Sequence, residues 1–254
     1  MENKVSLPAL LPDLSIEIAA LAVRYRRAGG PLVALMNRLG GRIEAQMAML
    51  PDSVRRQIEV VTAKALEQAH AMAAAGRFAP DLGTRAAPMV AALAGAAGGA
   101  GGIATSIVEL PVTITLILHA IRGAAAAEGF DPDDSAIRAE CLQVFAAGSP
   151  VAGDDGVNTA FLGARMTLTG PALKNLIAAV APRLAAALGQ KLAAQAVPVL
   201  GAASGAALNA AYLSYYRELA RIRFALLRLA QTHGAEQVLA AFQDATTPKP
   251  ITKA

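Results

Sequence analysis

The 254-residue chain has no tryptophan, one cysteine, three histidines and only 4% aromatic residues. A lone Cys141 excludes an internal disulfide framework and any zinc site built from several cysteines. Three scattered histidines, His70, His119 and His233, leave little from which to assemble a metal centre, and each is expected as a surface or core side chain. Few aromatics argue against a β-sandwich and against a module that stacks nucleic-acid bases. Charged residues are also sparse, at 17% against 55% hydrophobic, which excludes an intrinsically disordered chain.

Small side chains take the space that aromatics leave. The chain holds 61 Ala and 22 Gly, about a third of its length. Net charge is +4 and the sequence pI about 9.5. That excess is too modest and too dispersed for a nucleic-acid partner, and suits weak attraction to an anionic membrane surface. The start, Met1-Glu2-Asn3-Lys4-Val5-Ser6, has no apolar run behind a basic one. No cleaved signal peptide is expected, and the expected location is cytoplasmic or the cytoplasmic face of the inner membrane.

Periodicity is helical nearly throughout, so the expected fold is all-α: a single multi-helix domain over 1–245 with a flexible tail at 246–254. Roughly ten helices are expected. Pro12-Asp13-Leu14-Ser15 opens the first, with Leu14, Ile18, Leu21 and Tyr25 on one face, and Gly29-Gly30-Pro31 ends it. Leu32, Leu35, Met36, Leu39 and Ile43 mark a second. Pro51-Asp52-Ser53 opens a third, carrying Val54, Ile58, Val61 and Leu66. Pro111 is expected to kink or break a helix just after Glu109, with the following helix ending at Gly129. Asp131-Pro132-Asp133-Asp134 reads as the cap of another helix reaching about Ala147. Gly148 to Gly156 reads as a surface loop. Helices are expected at 157–168 and 172–188, and Gly234 separates a short last one.

Two stretches carry no formal charge: Ala86 to Val108, 23 residues, and Leu192 to Tyr216, 25 residues. Within them Gly95, Gly98, Gly99 and Gly102, and later Gly201 and Gly205, recur at spacings of four. Such spacing removes the side-chain ridge from one helix face and lets another backbone approach. Each glycine in a helix costs about 1 kcal/mol against alanine, so close packing must offset the cost. A 23-residue helix is about 35 Å long, enough to cross a bilayer core of about 30 Å. Two readings follow: tightly packed core helices of a soluble domain, or insertion into lipid. The second stretch also carries Gln195, Pro198, Ser204 and Asn209, which insertion disfavours.

Glu109 stands alone between apolar runs. A buried carboxylate needs a partner. Arg217 or Arg221, from the basic helix that follows the second quiet stretch, is the expected one; the alternative is that Glu109 faces water at the Pro111 break. Arg217, Arg221 and Arg228 share one face of that basic helix. They form either a solvated edge beside the core or a contact for lipid phosphate or a partner's acidic surface.

No motif specifies a reaction. Gly99-Ala100-Gly101-Gly102-Ile103-Ala104 fits G-x-G-x-x-A, but no strand precedes it and no acidic residue stands about 20 positions later, as a dinucleotide site requires. There is no phosphate-binding P-loop, no G-x-S-x-G and no H-E-x-x-H. Cys141 sits among Leu142, Val144 and Phe145 and reads as a buried, inert thiol. No catalytic residue, metal or cofactor is expected.

The run Ala92-Leu93-Ala94-Gly95-Ala96-Ala97-Gly98-Gly99 through Val108-Glu109-Leu110-Pro111-Val112-Thr113 resembles the EcsC family of bacterial proteins. Its continuation through Glu128, Gly129 and Cys141 to Phe145 does so too. So does a second block, Lys191 to Ala202, continuing through Asn209 to the arginine-bearing helix. The resemblance spans Ala86 to Gly234, about 60% of the chain. It implies no established reaction; the family takes its name from a component encoded beside an ABC-type transporter. The favoured expectation is therefore a non-enzymatic membrane-associated accessory protein, linked to transport or envelope processes. Its partner would be membrane lipid or a membrane protein, and self-association is a further option. The alternatives are a hydrolase with Glu109, Gln195 and Asn209 around a polar pocket, and a soluble helical scaffold.

Overall fold

A computed structural model describes residues 13–30, 51–74, 103–145, 170–195 and 201–247, with single positions at 34, 89, 91–94 and 96. The fold is all-α. Seven helices are described: α1 Leu14–Ala28, α2 Asp52–Ala74, α3 Ile103–Ala127, α4 Ser135–Phe145, α5 Gly170–Gln195, α6 Gly201–His233 and α7 Ala235–Thr246. No strand occurs among the described residues. The expected helix at 32–43, the glycines Gly95, Gly98, Gly99 and Gly102, the loop at 148–156 and the helix at 157–168 lie outside them.

Local signals set most helix ends. Asp13 caps α1, its Oδ1 accepting from the Ser15 backbone N–H at 2.9 Å. Asp134 caps α4 in the same way, accepting from Ala136 N at 2.8 Å and Ile137 N at 3.1 Å. Gly129 ends α3 in the left-handed region, φ +86°. There the Phe130 N–H bonds the Ala125 carbonyl and the Gly129 N–H bonds that of Ala126, which is the Schellman pattern. Gly234, φ +87°, makes the turn between α6 and α7.

The helix α6 is the axis of the molecule. At 33 residues it is about 50 Å long, and α1, α3, α4, α5 and α7 all pack against it. Leu208, Tyr212, Tyr216, Leu219 and Phe224 face the main core, with Ile114, Ile117 and Ile121 of α3, Leu184 and Leu188 of α5, and Phe145 of α4. Aromatic rings fill its middle: Phe145 lies 5.5 Å from Tyr216, and Phe130 lies 5.7 Å from Phe224. Helix α2 closes the far side, packing on α3 and α5 through Ile58, Leu66 and Ala69. A second, smaller cluster joins Ile18, Leu21 and Ala22 of α1 to Leu226 and Leu229 of α6 and to Val238 and Phe242 of α7.

Two expectations are corrected. Pro111 does not break its helix: α3 runs unbroken from Ile103 to Ala127 with Pro111 inside it. Proline removes one N–H donor there, and the Thr115 hydroxyl one turn on bonds the Pro111 carbonyl at 2.8 Å. The stretch Leu192 to Tyr216 is not one unit followed by a separate basic helix. Its first residues end α5, which extends past 188 to Gln195, and its later residues begin α6, which continues to His233. The shift from uncharged to charged residues along α6 marks a change of surroundings; the helix itself is uninterrupted.

Candidate functional site: a buried ion pair joining three helices

Glu109, near the start of α3, is 8% exposed, and Lys191, near the end of α5, is wholly buried. The Lys191 Nζ donates to both Glu109 oxygens, at 3.2 Å to Oε1 and 3.1 Å to Oε2. Thr113, one turn along α3, donates its hydroxyl to Oε1 of Glu109. Asn209, from the first turns of α6, donates its amide both to that oxygen and, at 2.9 Å, to the Ala91 carbonyl. One carboxylate therefore ties together α3, α5, α6 and the segment at 91. The expected partners, Arg217 and Arg221, do not reach it: both lie two turns or more beyond Asn209 along α6.

Burial pushes the Lys191 ammonium below its ordinary pKa, and the Glu109 charge pulls it back up. Oε1 accepts three donors and Oε2 accepts Lys191, so the carboxylate is fully engaged. The Asn209 Oδ1 is buried without a hydrogen-bond partner. Gln195 ends α5 one turn beyond Lys191, and its side chain is not among those described. Of the three polar candidates, Glu109 and Asn209 are thus in direct contact. Lys191 was not singled out from the sequence, although it heads the second family-like block.

A second buried pair was also missed. Arg223 of α6 donates to Oε2 of Glu140 in α4 through Nε at 3.0 Å and Nη2 at 2.7 Å, and Nη2 also reaches Gln143 at 2.6 Å. Desolvation raises the Glu140 pKa, while the Arg223 charge opposes it. The readable signal was register: Glu140 lies between Ile137 and Val144 on the buried face of α4. Cys141 beside it is 1% exposed, and burial pushes its thiol up to about 12. It is buried, as expected.

The basic face is paired within the fold at one of its three arginines and only loosely at a second. Arg228 bridges Glu17 of α1 at 2.7 Å and Glu128 at the end of α3 at 3.0 Å. Arg221 lies 4.0 Å from Glu218, which also pairs with Arg24 of α1 at 2.7 Å. Arg217 is partly buried, and desolvation followed by the Arg221 charge lowers its pKa. Gly205 is buried in α6, and Gly201 is its first residue. No group of three metal-ligating side chains occurs among the described residues.

Two apolar side chains near the start of α3 are exposed. Val108 is 78% exposed and Val112 49%, and just upstream Met89 and Leu93 are 67% and 70% exposed. The stretches Ile107–Ala127 of α3 and Ala172–Gly189 of α5 are long and apolar enough to cross a membrane by length and composition; about half of each is buried, as in the core helix of a soluble protein.

These helices fall within residues 44–229, which match the model of the EcsC protein family. The chain belongs to the EcsC family. The match begins well before Ala86, where the sequence resemblance was first evident, and takes in α2 as well as both buried ion pairs. It leaves out α1 and α7, which pack against the end of α6 in the smaller apolar cluster. No curated protein and no solved structure matches the chain.

Proposed function

We propose that this EcsC-family protein is a non-enzymatic, membrane-associated accessory protein whose lipid-contacting element is the N-terminal half of α3. The observation that carries this reading is the bare apolar strip of Val108 and Val112. They stand one turn apart on the side of α3 opposite Leu110, Ile114 and Ile117, which face the core. Exposing large apolar side chains together is unusual on a monomer surface and fits contact with lipid or a membrane protein. The mean hydropathy of 1.5 over Ile107–Ala127, with under half of that helix buried, adds weight. The family resemblance suggests a transporter or envelope process as the setting.

The test is vesicle binding by the full chain and by a Val108→Ser, Val112→Ser double variant. Unfolding should change little, because both side chains are exposed, while vesicle binding should fall several-fold. Unchanged binding would remove α3 as the contact.

The hydrolase reading has one supporting observation, the direct contact of Glu109 with Asn209. It has less support than the membrane reading, because Lys191 occupies the carboxylate that a general base would need free.

A further inference from the structure

Helix α1 is apolar on two opposite sides. Its inner side is satisfied: Ile18, Leu21 and Ala22 are buried against Ile222, Leu226 and Leu229 of α6 and Val238 and Phe242 of α7. Its outer side is not. Ile16 is 68% exposed and Val23 38%, and Ala19 and Ala20 between them are exposed as well. Ile16, Ala20, Val23 and Arg27 follow helical spacing, so they form one row about 16 Å long. A helix at a protein surface ordinarily turns polar residues to water. From Ile16 to Val23 the only polar residue of α1 is Glu17, and it reaches inward to Arg228 of α6 at 2.7 Å.

The charges at the end of this face are of one sign. The last turn of α1 carries Arg26 and Arg27, both exposed. Arg24 pairs with Glu218 of α6 at 2.7 Å, and Arg26 donates Nη1 to the Ala245 carbonyl of α7 at 2.8 Å. With Glu17 on Arg228, these bonds hold α1 to α6 on one side and to α7 on the other. The orientation of the outer row is thereby fixed, with Arg27 at its end.

We propose that this outer face of α1 lies on an anionic lipid surface. Ile16, Ala20 and Val23 enter the headgroup boundary, and Arg27, with Arg26 beside it, meets lipid phosphate. Apolar side chains beside basic ones are what a helix lying in the plane of an anionic bilayer presents. Guanidinium forks match phosphate oxygens, and the net charge of +4 adds a weak general attraction. A second copy of the chain packed on the same row offers the arginines no acidic side chain, since the row carries none. The proposal deepens the membrane reading, on which it rests, by naming the lipid class and a contact on a different helix from Val108 and Val112.

The experiment is co-sedimentation of the full-length protein with vesicles of phosphatidylcholine, with and without phosphatidylserine. The expected result is tighter binding when phosphatidylserine is present, with the gain reduced by salt. Arg27→Gln should lower that gain about fivefold at low salt. Ile16→Gln with Val23→Gln should lower binding to the anionic vesicles about tenfold. Thermal unfolding of this variant should match the parent's, because both side chains are exposed and glutamine is the better helix former. The Val108→Ser, Val112→Ser variant should keep the gain from phosphatidylserine, which separates failure of the α3 contact from failure of this one. No gain from phosphatidylserine in the parent, or an unchanged gain in both α1 variants, would overturn the proposal. So would self-association of the parent that the Ile16→Gln, Val23→Gln variant loses, since the face would then belong to a second copy.

Discussion

Lys191 and Glu109, 82 positions apart, form an ion pair from which water is excluded, with side-chain exposures of 0% and 7%. Such a pair gives little net stability over an apolar substitute, because desolvation offsets the attraction. Its effect is to fix how α3 and α5 meet, since either charge alone in that place is strongly disfavoured.

Removing one partner should therefore cost far more than removing both. Lys191→Met is expected to lower stability by about 3–5 kcal/mol, and Glu109→Gln by a similar order. The Lys191→Met, Glu109→Gln double variant should recover much of that loss. Urea unfolding of the four proteins measures it, and additive losses would show that the two residues act independently.

Two glycines should respond to alanine in opposite directions. A Cβ at Gly129 meets nothing within 4 Å, but its φ is +86°. Gly129→Ala is expected to cost about 1–2 kcal/mol in backbone strain alone. Gly123 lies inside α3, also with nothing within 4 Å of an added Cβ. Gly123→Ala should stabilise by about 0.5–1 kcal/mol. Thermal unfolding of the two variants decides, and the same sign for both would show that helix entropy and left-handed strain are misassigned.

The clasp formed by α1 and α7 should depend on apolar packing more than on its ion pairs. Phe242 is 2% exposed and meets the Tyr25 ring at 5.8 Å. Phe242→Ala is expected to cost about 3–5 kcal/mol of docking stability. Arg228→Met removes two partly exposed pairs and should cost about 1 kcal/mol or less, and less still in high salt. Hydrogen exchange over α1 reads both, and a larger effect from Arg228→Met would reverse the ranking.

His70 should make the protein sensitive to acid. Its folded pKa lies below the usual 6.5, mainly through burial. The folded state therefore holds fewer protons than the unfolded chain just below pH 6.5. The stabilising contribution is complete above that pH and is lost as pH falls through the depressed folded value. In chloride buffer, His70→Gln should unfold with a flatter stability profile between neutral pH and pH 5. A profile as steep as the parent's would place the sensitivity elsewhere.

The all-α fold, the caps at Asp13 and Asp134, and the stops at Gly129 and Gly234 were legible because each is local chemistry. Pro111 misled for the same reason: a local rule gave a kink or a break, while α3 packs along α6 and continues past it as one helix. Glu109 was recognisable as a residue in need of a partner. Its partner was not, because Lys191 sits in an alanine-rich run whose neighbours do not reveal that it faces inward. The pairing of Arg223 with Glu140 was hidden likewise, since register along two helices decides it and their order in the chain does not. Arg217, Arg221 and Arg228 read as one exposed face; Glu17, Glu128 and Glu218 are spread too widely in sequence to show that they pair with part of it.

Flotation with vesicles, before and after an alkaline carbonate wash, tests membrane association most directly. Embedding of the exposed Val108 and Val112 of α3 predicts co-flotation that survives the wash and is lost in the Val108→Ser, Val112→Ser variant. A chain that stays in the soluble fraction, monodisperse and without detergent, would contradict it.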